Sequence, residues 1–376
     1  MIADRMSGVD MSGIRKMFEM AGKDAINLGI GEPDFQPPAF IIDAYVQALR
    51  EGQNNYGPSS GIMPLREAIA EKERHRLPDI TASHVIVTAG STNALYGIMQ
   101  AFVNPGDQVL CPDPGFVLYG SHVRLANGVP VYYPLSKDNA FVPDVDDMRD
   151  LITNRTRAIV VNSPSNPCGT TIPQKTVKAI CDLAAEHDLI VISDEAYDSI
   201  TYDEPHTSFL GKYENVVYCN TFSKTYAMTG WRIGYMIARP ELGDALKKIN
   251  YHLIANPPTP TQYACLAALK GPQDFVKEMV LTFKERRDLI VKMIDEIPGF
   301  EMVTPKGAFY AYPHYSQSID CRDLAMRFLK AGVVTVPGDA FGTRGAKHIR
   351  ISYGNSTENI EKGLTIMRKV VEGLPR

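Results

Sequence analysis

One stretch of the chain places a lysine in unusual company. In Thr221-Phe222-Ser223-Lys224-Thr225-Tyr226-Ala227-Met228-Thr229-Gly230-Trp231-Arg232-Ile233-Gly234 the amine sits among apolar and aromatic neighbours, including the single tryptophan of the sequence. Desolvation disfavours the ammonium form, lowers its pKa and leaves an amine able to attack a carbonyl. Most of the 39 lysines and arginines are expected on a solvated surface; this context sets Lys224 apart.

Three other segments carry polar groups that a ligand would use. In Thr88-Ala89-Gly90-Ser91-Thr92-Asn93 a strand turns through small residues into a helix. Free amides and hydroxyls there make a phosphate cradle, although a plain strand-to-helix turn with a Ser or Thr cap has the same look. Asn162-Ser163-Pro164-Ser165-Asn166-Pro167-Cys168-Gly169 holds a rigid loop at a strand end, where open α/β sheets bind their ligands. Asp194 follows the apolar run 189–193 and falls at the same edge, although a surface aspartate is the plainer reading of that segment alone. Gly29 and Gly31 begin a dinucleotide fingerprint that fails at Asp34, where a third glycine is needed.

The elements that position these residues alternate. Strands are expected at 84–88, 107–111, 129–133, 158–162, 189–193, 216–220 and 233–238. Helical spacing fills 91–103 and 173–187. Near-continuous apolar strands between helices indicate an α/β fold with a largely parallel sheet covered on both faces. Beyond it the pattern changes. A long helix is expected at 273–297, then strand pieces at 309–312, 333–336 and 348–353, and a closing helix at 357–372. A short helix is expected at 13–20, and the Gly- and Pro-rich stretch after it is expected to wrap over the rest.

Composition narrows the function classes. The chain has 376 residues, 44% hydrophobic and 22% charged, with a formal net charge of −4. This is a globular composition with no basic excess for nucleic acid, and no apolar run long enough to span a membrane. Six scattered cysteines lack a C-x-x-C pair, and the histidines lack an H-E-x-x-H pattern. The sequence therefore points to a reduced, cytoplasmic chain with neither a disulfide framework nor a metal site.

Taken in order, Gly31-Glu32-Pro33-Asp34, Tyr56-Gly57-Pro58, Gly90-Ser91-Thr92, Asn162 to Pro167, Asp194-Glu195-x-Tyr197, Ser223-Lys224 with Gly230-Trp231-Arg232, and Arg350-Ile351-Ser352 resemble the fold-type I pyridoxal-phosphate aminotransferases. The resemblance is to their class I/II branch, the aspartate and aromatic aminotransferases of bacterial and archaeal type, and runs over residues 12–372. It implies a seven-stranded, mostly parallel sheet in a large cofactor-binding domain (46–275). It also implies a smaller α+β domain (276–376) that takes in the N-terminal segment (1–45).

The resemblance also implies roles. Lys224 would carry pyridoxal 5'-phosphate and move a proton once freed. Asp194 would pair with the pyridine nitrogen, Tyr197 and Asn166 would bond the ring hydroxyl, and Phe116 would stack on the ring. Gly90, Ser91, Thr92, Ser223 and Arg232 would hold the phosphate, joined by Tyr56 from the other subunit of a homodimer with shared sites. Arg350 would clamp the substrate α-carboxylate, helped by Asn166 and Gly31, with Ile14 in an apolar lid. The implied reaction passes the amino group of an L-amino acid to 2-oxoglutarate by a ping-pong mechanism. Aspartate or an aromatic donor is favoured, then alanine. A lyase or decarboxylase using the same Lys224 and Asp194 is the alternative. The sequence departs from the family pattern in three places. Cys168 replaces a usual threonine. Thr92 stands where aspartate-preferring relatives often carry lysine, and Phe116 stands where tryptophan or tyrosine is common.

Overall fold

The computed structural model describes residues 2–9, 22 and 24–374. The helix expected at 13–20, and Ile14 with it, lie outside them. A short strand, β1 (Ile26–Asn27), precedes seven strands of one sheet. These are β2 (Val85–Thr88), β3 (Gln108–Asp113), β4 (Val129–Pro134), β5 (Thr156–Asn162), β6 (Ile190–Asp194), β7 (Val216–Thr221) and β8 (Gly234–Ile237). Their order is β2-β8-β7-β6-β5-β3-β4. Neighbours are parallel except β8, which runs antiparallel to β2 and β7.

Strand side chains alternate between two apolar layers, as the two-residue period requires. Val85, Val87, Ile159, Val161, Val191 and Tyr218 face one core, with the helix Gln174–Glu186 packed on it through Val177 and Ile180. Ile86, Val109, Val160, Ile192, Val217 and Met236 face the other, beneath the helix Ser91–Phe102 through Leu95, Ile98 and Met99. Burial on both faces explains why these strands read as unbroken apolar runs rather than alternating ones.

This topology aligns the chemistry. The parallel strands end at Thr88, Asp113, Asn162, Asp194 and Thr221, with Asn162 paired to Asp194 and Asp194 to Cys219. Residues 222–233 form the return from β7 into antiparallel β8, so Lys224 is delivered to that same edge.

A third core gathers the long helix Asp274–Asp295, the helices Cys321–Lys330 and Thr357–Glu372, and small sheets, with Leu28 of the N-terminal stretch inserted. The remaining strands are β9 (Phe300–Glu301), β10 (Tyr310–Ala311), β11 (His314–Tyr315), β12 (Val333–Val334), β13 (Val336–Pro337) and β14 (Ile349–Ser352). The single strand expected at 333–336 is thus two. β12 pairs in parallel with β1, whereas β13 pairs antiparallel with β14. The chain changes partner at Thr335, between two edges that local sequence does not reveal. Among the described residues, no helix is long and apolar enough to cross a membrane.

Candidate active site

A cavity of about 230 Å³ opens at the strand ends and is lined by Lys224, Asp194, Tyr197 and Arg350 among others. Lys224 lies in the helical turn Phe222–Thr225, which Thr221 caps by accepting from the Ser223 amide. Its Nζ donates to the Gly31 carbonyl at 2.6 Å. Burial pulls its pKa down from 10.5 to about 8. Arg232 and Arg350 act in the same direction, against the attraction of Glu32 and Asp194.

Asp194 ends β6 and is only 5% exposed. It accepts from the Tyr119 hydroxyl at 2.7 Å and from the Ala196 amide at 3.3 Å. Burial raises its carboxyl to about 6 despite these bonds. Tyr197 is buried beside it, its hydroxyl 2.7 Å from that of Tyr310. Burial and the Tyr310 hydroxyl push the Tyr197 phenol well up, so it stays protonated.

Arg350, on β14, is 1% exposed. Its Nη1 donates to Asn166 Oδ1 at 3.0 Å and its Nη2 to the Gly29 carbonyl, while Nε has no partner among the described residues. The guanidinium lies over Tyr310 and Phe341, 4.7 and 5.0 Å from their ring centres. Burial lowers its pKa. Asn166 is held in turn, its amide donating to Asn162 Oδ1 at 2.8 Å. A guanidinium fork buried with neutral partners is prepared for a carboxylate.

At the other end of the cavity, Ser91 and Thr92 open the helix Ser91–Phe102 after Gly90, whose φ is +87°. A Cβ at Gly90 would lie 2.7 Å from Arg232 Nη2, so this glycine admits the guanidinium to the helix N-terminus. Arg232 Nη1 donates to the Thr229 carbonyl at 2.7 Å, and Ser223 lines the same corner. The helix amides, hydroxyls and guanidinium together suit a dianion. Phe116 stands edge-on to Tyr119, with ring centres 5.6 Å apart, and forms an apolar wall. Gly31 leaves room for the Tyr310 hydroxyl, which a side chain there would strike.

The structure therefore brings together the residues expected at the site, with two exceptions. Ile14 is outside the described residues. Tyr56 is 91% exposed and borders a separate hollow with Asn256, Pro258 and Thr259. Tyr119 and Tyr310 were not anticipated. Each is one of 18 tyrosines with no motif to mark it, although Tyr119 falls three residues after Phe116.

This seven-stranded, mostly parallel sheet, with a buried lysine and a buried aspartate at its carboxyl edge, is consistent with the pyridoxal-phosphate-dependent transferase fold. The chain matches the family described as aminotransferase class I and II over residues 23–366. It is 41% identical, over 99% of its length and 100% of the relative's, to a probable aspartate aminotransferase of Methanocaldococcus jannaschii. It is 37% identical to aromatic-amino-acid aminotransferase 2 of Thermococcus litoralis, covering 99% and 98% of the two chains. The solved aspartate aminotransferase of Thermus thermophilus with maleate superposes with a TM-score of 0.94, at 36% identity, over 98% of this chain and 99% of that one. The chain belongs to the class I and II aminotransferases of fold type I and is an aminotransferase.

Proposed function

We propose that this enzyme moves the amino group of an L-amino acid to 2-oxoglutarate in two half-reactions at one site, using pyridoxal 5'-phosphate. The observation that carries the reading is that a neutralisable buried amine, Lys224, shares the cavity with a buried carboxylate, Asp194, that makes no direct ion pair among the described residues. These residues fit the cofactor: Lys224 for its aldehyde, Asp194 for its ring nitrogen, and Ser91, Thr92, Ser223 and Arg232 for its phosphate. When bound, the cofactor supplies the carbonyl that takes up the amino group and the ring that draws electrons from the substrate Cα.

The chain's own residues do the rest. Arg350 holds the α-carboxylate through its fork, and Asn166 keeps that fork in plane. Lys224 Nζ would take the proton from the substrate Cα and deliver it to the cofactor carbon on the far side of the amino nitrogen, the work of a base whose pKa lies near the operating pH. Asp194 would keep the ring nitrogen protonated, and Tyr119 orients the carboxylate for it. Tyr197 and Asn166 would bond the ring hydroxyl and Phe116 would cover the ring, since all three line the cavity.

Aspartate or an aromatic amino acid is the favoured donor, then alanine. The names of the M. jannaschii and T. litoralis relatives support both leading choices, and the neutral Thr92 in the cavity supports the aromatic one. The working unit is a cytoplasmic homodimer, with Tyr56 completing the partner's phosphate site. Its outward position supports this. Residues 1–45 and 276–376 form the unit that closes on 46–275.

A panel of amino donors against 2-oxoglutarate, with Lys224→Ala alongside, tests the reading. The wild type should be yellow and transfer the amino group, and the variant should not. A variant with normal turnover would refute it.

A further inference from the structure

Tyr197 and Tyr310 are 113 positions apart and meet hydroxyl to hydroxyl at 2.7 Å. Tyr197 follows β6 at the sheet edge, whereas Tyr310 opens β10, which pairs antiparallel with β14. Their rings cross at 83°, with centres 5.6 Å apart. Tyr310 is 1% exposed and still lines the cavity. It is fixed at both ends. Its ring lies 4.7 Å from the Arg350 guanidinium carbon, and its hydroxyl rests against Gly31, where any Cβ would strike it.

Either hydroxyl could donate to the other, and the surroundings decide the direction. Among the described residues, the Tyr310 hydroxyl has no hydrogen-bond partner besides Tyr197. Under the proposed function, Tyr197 gains a second partner, the ring oxygen of the cofactor, and that oxygen needs a donor. Both needs are met when Tyr310 donates to Tyr197 and Tyr197 donates onward. Burial raises both phenols, so each has a proton to give. The charged groups facing the pair are Arg350 and Asp194, with Lys224 Nζ 6.0 Å from the Tyr197 ring centre.

The geometry points to Tyr310 as a positioning residue that donates its hydroxyl proton to Tyr197 and so aims the proton of Tyr197 at the cofactor ring oxygen. This rests on the proposed place of Tyr197 beside that oxygen. A hydroxyl that accepts one hydrogen bond is a stronger donor in the next, and the effect is larger where water is excluded. Without Tyr310, the Tyr197 hydroxyl is free to rotate away from the ring. The aromatic ring of Tyr310 has a separate task, which is to support the guanidinium of Arg350. Hydroxyl and ring can therefore be tested apart.

The test is a pH titration of the visible band of the cofactor-loaded enzyme without substrate. A donor to the ring oxygen stabilises its negative charge and so lowers the midpoint of the colour change. Tyr197→Phe should raise the midpoint by about one pH unit. Tyr310→Phe should raise it by about half a unit, and should add nothing in the Tyr197→Phe background. Tyr310→Leu, which also removes the ring, should raise KM for the amino acid by about tenfold, more than Tyr310→Phe does. A midpoint that falls in Tyr310→Phe would make Tyr197 the donor of the pair and overturn the proposal. A midpoint that stays, or that rises equally in both backgrounds, would overturn it too. If Tyr197→Phe leaves the midpoint of an intact band unmoved, the place of Tyr197 is wrong and the role of Tyr310 goes with it. A wild type with no visible band would overturn the proposed function itself.

Discussion

The sharpest test of the site is Arg350→Met, which removes the fork and leaves an apolar chain on the rings of Tyr310 and Phe341. Among the described residues Arg350 has neutral partners, Asn166 and the Gly29 carbonyl, and an unpartnered Nε. A substrate carboxylate would therefore meet a cation already desolvated and already oriented. Two charge-assisted hydrogen bonds of about 1.5–3 kcal/mol each bound the gain at about 3–6 kcal/mol. Taking about 4 kcal/mol, kcat/KM for the amino acid should fall roughly a thousandfold. The drop alone would not distinguish clamping from general damage, so the assay is a cycle. The half-reaction is followed by absorbance for an amino acid and for the matching amine without its α-carboxylate, in wild type and variant. Wild type should prefer the amino acid by about the same thousandfold, and the variant should lose most of that preference while reacting with the amine almost normally. Arg350→Lys, which keeps charge but not the fork, should fall between. Equal losses for amino acid and amine would refute the clamp and make Arg350 a structural cation.

Other outcomes follow from the same geometry. In the cofactor-free protein, attachment of pyridoxal phosphate to Lys224 should rise with pH through a midpoint near 8, because burial lowers the amine to that value; a midpoint near that of free lysine would contradict it. Asp194 has a carboxyl raised from 3.8 to about 6 by burial, so its contribution to stability is present below pH 4 and lost as pH rises through 6. The change is about 3 kcal/mol. Thermal unfolding of cofactor-free Asp194→Asn should lack this fall and should exceed wild type at neutral pH, while cofactor binding weakens. Asp34→Asn, which breaks the Arg286 fork, should loosen residues 27–34 beside Arg350 and raise KM for the donor, read by steady-state assay. Thr92→Lys should shift preference from phenylalanine toward aspartate by about tenfold in relative kcat/KM.

Local sequence determined much of this protein. The seven sheet strands were legible within a few residues because all but the half-exposed edge strand β4 are runs buried on both faces, closed by polar or glycine-bearing turns. Strand ends in a mostly parallel sheet share one edge, so Asn166, Asp194 and Lys224 could be placed together from the sequence. The plainer reading of Asp194 as a surface acid was wrong for a reason the segment could not show: Tyr119, 75 positions earlier, folds over it.

What only the tertiary structure decided lies in long-range contacts. Strand direction in β8, the division of 333–337 between two sheets, and the seating of residues 27–34 all depend on partners far away in the sequence. Arg350 meets Asn166 across 184 positions and Gly29 across 321. Residue type and spacing mark which groups can react. Which buried charges face one another, and hence how strongly Lys224 holds a proton, is set by desolvation and distance, and these exist only once the chain has folded.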